Sequence, residues 1–293
     1  MVTAATLQIR RMLCITIVCN VCLSLLKVGW GRKTQSIGMQ ADGLHEFLDA
    51  ISSVIAWIAV EMTSRHPDAG HPYGHSKYET IASLCISIFL FSTCYVILTD
   101  SVLRLQTSRP PEVTPPSFII MFVSMVIKAG LSRWEKQQGR LYKREVLIAD
   151  GLHTQSDIFA SASVILGLIA TKAGFPVMDP IAGVLIAGII GKTGWQILSE
   201  SVRVLTDSSR IHPEAIEKLV MGIQGVEACH KIRTRGNMGH VYADLHIHVA
   251  PEMSVASAHV IAHQAEETII RQFPEVKEVV VHVEPHLQTL END

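Results

Sequence analysis

Six apolar stretches, each long enough to cross a bilayer, constrain this chain more than any other feature. A membrane-spanning helix needs about 20 residues. The stretches lie near residues 12–31, 37–63, 79–105, 117–136, 145–171 and 178–203. Helices placed in lipid must satisfy their backbone hydrogen bonds internally, so the first two-thirds of the chain reads as an all-α bundle. Only 18% of the residues are charged and the mean hydropathy is +0.30, against roughly 25% charge in soluble domains. A net charge of −2 gives no electrostatic reason to bind nucleic acid. The first stretch follows Arg10 and Arg11, is too long for a signal peptide and has no small-residue cleavage site after it, so it is expected to remain as a span.

Lysine and arginine set the expected orientation. With the N-terminus inside, Arg10, Arg11, Arg65, Lys77, Arg133, Lys136, Arg140, Lys143 and Arg144 face the cytoplasm, and only Arg32, Lys33, Arg104, Arg109 and Lys172 face out. Both termini are therefore expected to be cytoplasmic, in the inner membrane of a bacterial cell. The segment from Arg109-Pro110-Pro111 to Pro115-Pro116 reads as a stiff outer loop. Cysteines 14, 19, 22, 85 and 94 lie in apolar runs and read as packed, reduced thiols, as does Cys229 in the tail.

After Asp207 the composition changes. Residues 208–293 hold seven Lys/Arg, twelve Asp/Glu and nine of the fourteen histidines, which suits cations as partners. Pro213 opens an amphipathic helix expected to run to about Gln224. Val226–Arg235, Val241–Ala250 and Val276–Val283 read as strands and Ser257–Phe273 as a helix. The expected architecture is a six-helix transmembrane domain over 1–207, followed by an α+β domain of order α-β-β-α-β over 208–293.

An internal repeat carries the chemistry. Residues 41–49 read Ala-Asp-Gly-Leu-His-Glu-Phe-Leu-Asp, and residues 149–157 read Ala-Asp-Gly-Leu-His-Thr-Gln-Ser-Asp, 108 residues later. One copy lies in the second span and one in the fifth, and repeats in membrane proteins commonly build a substrate site where they meet. His45 and Asp49 share a helix face at i, i+4, as do His153 and Asp157. Two such helices face to face offer two imidazoles and two carboxylates, a set suited to tetrahedral Zn²⁺. Read as ordinary buried polar residues, the four would together cost roughly 10 kcal/mol on insertion scales; a bound cation supplies the compensation. Asp42 and Asp150 are candidates for outer carboxylates or for helix-end solvation, and Lys27 and Lys128 for snorkelling or helix-pair contacts.

His45-Glu46 also resembles the start of an intramembrane HExxH zinc protease motif. The second His is replaced by Asp49, the other copy has Thr154 in place of Glu46, and Glu46 projects about 100° from His45. A transporter is therefore expected rather than an enzyme, with a non-transporting metal sensor as another use of the same ligands.

Two further clusters stand out. Asp68, His71 and His75 place a carboxylate and two imidazoles in a Gly/Pro-rich loop. In the tail, His246 and His248 share one strand face and His282 and Glu284 another, at period two. His230 precedes a strand, and His259 and His263 lie one helical turn apart. His230, His246, His259, His282 and Glu284 are the candidate ligands there; His240, His248, His263 and His286 are weaker.

With these residues, the chain resembles the cation diffusion facilitator family over nearly its whole length. The two ADGLHxxxD segments, HPYGHSKYE after the second span, and CHKIRTR, ADLHIHV, ASAHVIAH and VVVHVEPH in the tail carry the resemblance. It implies a homodimer in a lipid bilayer, exchanging cytoplasmic divalent metal for outside protons, with a metallochaperone-like cytoplasmic domain. It implies Asp68, His71 and His75 as a loop site, and the five tail ligands as a cytoplasmic site of one or two ions, with Glu284 where Asp is more familiar. Two His and two Asp in the membrane resemble the zinc and cadmium transporters; iron, manganese and cobalt are the alternatives.

Overall fold

The computed structural model describes residues 4–33, 37–107, 115–172, 175 and 178–286. They form α1 (Ala4–Lys33), α2 (Ile37–Thr63), α3 (Lys77–Thr107), α4 (Pro115–Leu141), α5 (Glu145–Lys172) and α6 (Met178–Leu205), then α7 (Pro213–Val220), β1 (Ala228–Asn237), β2 (His240–Val249), α8 (Val255–Gln272) and β3 (Val276–Pro285). The chain divides into compact units Met1–Ser201 and Val202–Asp293. Most of the expected stiff outer loop, residues 108–114, lies outside the described residues. Pro115 and Pro116 instead open α4, where proline's missing N–H costs nothing.

The first unit is apolar outside, and its interior holds polar and charged side chains beside an apolar cluster that includes Ile9, Leu13, Val60, Ile86, Leu147 and Ile190. Leu25, Ile58, Ile88, Ile119, Leu185 and Trp195 are exposed, whereas Thr16, Asn20, Ser24, Lys27, Ser52 and Lys128 are buried. So apolar an exterior over buried polar groups suits lipid as the solvent. Among the described residues, Thr6–Lys33, Asp42–Thr63, Lys77–Leu103 and Pro180–Leu205 are long and apolar enough to cross a membrane. Helices α4 and α5 carry Lys128, Glu135, Asp150 and Asp157, all of which are buried.

The repeat seen in sequence extends to whole helical hairpins. Ser24 Oγ donates to the Gly43 carbonyl at 2.6 Å, tying α1 to α2, and Ser132 Oγ donates to the Gly151 carbonyl at 2.6 Å, tying α4 to α5. Both bonds join residues 19 apart, and each partner in one hairpin lies 108 positions from its counterpart in the other. Glycine is required at both crossings. A Cβ on Gly43 would lie 2.7 Å from Val28 Cγ2 and 2.8 Å from Val28 N, and one on Gly151 would lie 2.8 Å from Lys136 Cγ. Small residues allow the backbones to approach this closely.

The second unit has two layers. In the sheet, order β1-β2-β3, β1 and β2 are antiparallel and β2 and β3 parallel. The parallel pair needs a crossover, which α8 provides. Val241, Ala243, Leu245, Ile247 and Val249 of β2 face the core with Ile216 and Val220 of α7 and Ile261, Ala265 and Ile269 of α8. Helix α7 stops at Val220, short of the expected Gln224, in a turn containing Gly222 and Gly225, the latter at φ +96°. Cys229 is buried among these core residues, and burial, with Glu217 nearby, pushes its thiol up to about 11.

Gly43→Ala and Gly151→Ala should each destabilise the bundle by about 1–3 kcal/mol through overpacking. The check is a lowered apparent Tm of the detergent-solubilised chain, with little change for Gly130→Ala, where a Cβ meets no atom within 4 Å.

Candidate metal transport site

Helices α2 and α5 bring the two copies of the repeat together. One ligand atom each from His45, Asp49 and Asp157 lies within 4.8 Å of the others. His45 Nε2 is 3.4 Å from Asp157 Oδ1, across to α5, and 3.9 Å from Asp49 Oδ1, one turn along α2. His153 joins through Asp49, its Nε2 3.3 Å from Oδ1. The side chains of Asp49, His153 and Asp157 are no more than 4% exposed, while that of His45 is 35% exposed. Asp49 Oδ1 and Asp157 Oδ1 are buried without a hydrogen bond, although imidazoles stand nearby. Buried carboxylate oxygens with unused lone pairs suit a cation as their missing partner.

A cavity of about 300 Å³ reaches this site along Asp42, His45, Glu46, Asp100 and Asp157. Its other walls come from Ser101 near the end of α3 and from Met121 and Gly183 near the starts of α4 and α6. It therefore lies toward the end of the bundle where α1 meets α2, α3 meets α4 and α5 meets α6. At the opposite end Arg10 pairs with Glu61 at 2.5 Å, Arg144 pairs with Glu79, and Tyr142 bonds Gln8.

In the loop after α2, Asp68, His71 and His75 place ligand atoms within 4.8 Å of one another. Asp68 Oδ1 accepts from the His71 and Gly70 N–H groups at 2.7 and 2.9 Å. The His71 amide bond is the largest of the causes that hold this carboxyl below its ordinary range. His75 is buried, its Nε2 3.4 Å from Asp68 Oδ2.

In the tail, Glu284 is a hub on the open face of the sheet. Its Oε1 lies 2.8 Å from His246 Nδ1 and 3.3 Å from His282 Nε2. Its Oε2 lies 3.1 Å from His230 Nε2 and 3.2 Å from His248 Nε2. The register explains the cluster: His230 is opposite His246, His246 beside His282, and His248 beside Glu284. A bulge between His230 and Arg233, with Lys231 at φ 49°, lets both flanking residues keep the open face. Hydrogen bonding to His246, the largest cause, and to His230 and His248 lowers the Glu284 carboxyl to about 2.

Residues 13–206 match the family described as the cation efflux transmembrane domain, and residues 209–286 match the cation efflux protein cytoplasmic domain. The chain belongs to the cation diffusion facilitator family. It is therefore a membrane transporter for the efflux of divalent metal cations. An uncharacterized transporter, MJ0449, of Methanocaldococcus jannaschii is 32% identical, the match covering 94% of this chain and 98% of that protein. The manganese efflux system protein MneP of Bacillus subtilis is 28% identical over 95% of this chain and 97% of its own. Among solved structures, a single-substitution variant of the MamM CTD matches 25% of this chain and 91% of its own, at 25% identity and a TM-score of 0.24.

Several side chains at the transporter's sites narrow the expectation or differ from it. Of the two expectations for Lys27 and Lys128, snorkelling or helix-pair contacts, the structure shows the second; both are buried. Lys128 Nζ lies 2.6 Å from Asp49 Oδ2, 3.4 Å from Asp157 Oδ2 and 2.9 Å from Glu46 Oε2. Lys27 Nζ holds Glu46 Oε1 at 2.5 Å and Asp42 Oδ2 at 2.8 Å. Glu46 projects away from His45 but is only three residues from Asp49, about 60° around the helix, so a cation can touch both. Asp150 accepts from Ser52 at 2.9 Å. In the tail, His248 joins Glu284, whereas His259, expected there, packs its ring on His263 at 4.4 Å. Period two on β2 already placed His248 beside His246; helix α8 packs on the opposite side of the sheet, which carries His259 away.

The lowered Glu284 carboxyl predicts an acid-sensitive tail. Its stabilising contribution is full above its ordinary value of 4.5 and is lost as the pH falls through about 2. Hydrogen exchange of the β2 and β3 amides should show wild type losing protection relative to Glu284→Gln between those pH values. Parallel loss in both proteins would contradict it.

Proposed function

We propose that this transporter exports zinc from the cytoplasm in exchange for protons, through one site formed by His45, Asp49, His153 and Asp157. The observation that carries the reading is the convergence of His45, Asp49 and Asp157 within 4.8 Å, from two different helices, with His153 joined through Asp49. Two imidazoles and two carboxylates on rigid helices are a donor set that suits zinc. In this reading all six long helices span the membrane, both termini are cytoplasmic, and the 300 Å³ cavity opens to the outside. The Arg10–Glu61 and Arg144–Glu79 pairs then close the cytoplasmic end and part when the site turns inward. Ligands must be deprotonated to bind metal, so protons entering from outside compete the ion off the imidazoles and return with the site.

Manganese is a second reading, favoured by relatives named manganese efflux system proteins. Its harder character suits the carboxylate oxygens better than the imidazoles. Uptake by proteoliposomes containing the purified chain tests both. Asp49→Ala and Asp157→Ala should abolish zinc uptake while leaving the folded chain intact, and an opposing proton gradient should accelerate wild-type uptake. Zinc uptake that competing manganese suppresses at equal concentration would replace zinc by manganese; indifference to the gradient would remove proton exchange.

The tail makes the transporter a homodimer that senses cytoplasmic metal. Glu284 with His230, His246, His248 and His282 would hold one or two zinc ions there. Asp68, His71 and His75 form the loop site. Zinc added to the full-length chain should tighten self-association, measured by analytical ultracentrifugation, and Glu284→Gln should blunt that effect. Association independent of zinc in the wild type would refute the sensing role.

A further inference from the structure

Lys128 stands where the transported ion would be held. Its ammonium touches Asp49 and Asp157 through Oδ2, while Oδ1 of each carboxylate faces an imidazole. We propose that Lys128 is a tethered cation that partly neutralises the metal-free site and must move aside for a divalent ion to bind, so that it sets both affinity and release. The inference rests on the four-residue transport site and adds to it a residue that the duplicated motif does not contain.

Three observations support the exchange. First, Lys128 has somewhere to go. Glu46 Oε2 already lies 2.9 Å from Nζ, so a small swing of a flexible side chain keeps one ion pair while freeing both site carboxylates. Lys27 and Ser124 hold the other oxygen of Glu46, at 2.5 and 3.1 Å, which fixes this resting place. Second, the charges then balance. Asp49, Asp157 and Glu46 are matched by one ammonium and one divalent ion, with Lys27 left to Asp42. A monovalent ion brings no more charge than the ammonium it would displace, whereas a divalent ion brings twice as much. Third, the device occurs once. The position 108 residues before Lys128 is Asn20, which is buried but neutral, so the second hairpin supplies the cation on Asp49 and Asp157, while the first hairpin's buried ammonium, Lys27, is held by Asp42 and Glu46.

The displaced state is a fraction of the metal-free population, and apparent affinity is reduced by that fraction. Zinc uptake kinetics of the full-length chain in proteoliposomes test this. Lys128→Met should lower KM by about tenfold or more, the scale of one close charge pair, and also lower the maximal rate, because nothing helps expel the ion. Glu46→Gln should raise KM, because Lys128 loses its resting place. The double variant should return to the low KM of Lys128→Met. A lysine that merely stabilises packing would not give shifts of opposite sign, reversed in combination. An unchanged or raised KM for folded Lys128→Met overturns the proposal. If that variant does not fold, an unchanged or lowered KM for Glu46→Gln overturns it. Asp49→Asn separates the two levels: persistent uptake at wild-type KM defeats the transport site itself, whereas lost uptake beside an unchanged KM for Lys128→Met defeats the tethered cation alone.

Discussion

Carboxylates buried between membrane helices need partners, and that need organises the first unit. Glu46, Asp49, Glu135, Asp150 and Asp157 are all buried. An ionisable group left alone at mid-membrane costs about 2.5–3.5 kcal/mol on insertion scales, several times the roughly 1 kcal/mol of an ordinary hydrogen bond. The partners come from other helices: Lys27 of α1 for Glu46 of α2, Thr16 of α1 for Glu135 of α4, Ser52 of α2 for Asp150 of α5, and Lys128 of α4 for Asp49 and Asp157. The polar contacts thus help select which helices are neighbours, and an apolar exterior suited to lipid has little to add to that choice.

The two hairpins share a backbone frame and differ in charge. Glycine and serine keep each crossing tight at equivalent positions, yet Lys27 has Glu135 as its counterpart, Glu46 has Thr154 and Asn20 has Lys128. Lys27 bonds Glu46 across the first crossing, and Thr154 bonds Glu135 at 3.4 Å across the second. One frame therefore carries a full ion pair in one half and a hydroxyl–carboxyl contact in the other. A ligand pair from each hairpin can therefore reach one ion while a single lysine serves both.

The tail solves a different problem, since its cluster faces water. There the alternation of β2 separates core from ligands at each step, and the parallel register of β3 sets Glu284 next to His248 and His282 next to His246. A carboxylate with four imidazoles around it is held by strand geometry alone, and no helix ligand is needed within one chain. The side chain of Glu284 is 28% exposed, so water screens these contacts and their individual worth is small.

Periodicity explains what was legible in the sequence and where legibility stopped. The i, i+4 spacing of His45/Asp49 and His153/Asp157 and the period-two spacing on β2 and β3 fix same-face relations inside one element, and the structure keeps them. The α-β-β-α-β order followed from the same patterns. Relations between elements had no such signal. Lys128 touches residues 29, 79 and 82 positions away, and nothing local to α4 distinguishes a lysine that snorkels from one that turns inward. One cue existed nonetheless. Carrying the 108-residue offset back from the motif pairs Ser24 with Ser132 and Asn20 with Lys128, which places both on hairpin faces that cross the repeated helices. A polar residue on such a face is directed toward the duplicated motif, not lipid, and a lysine there has carboxylates within reach.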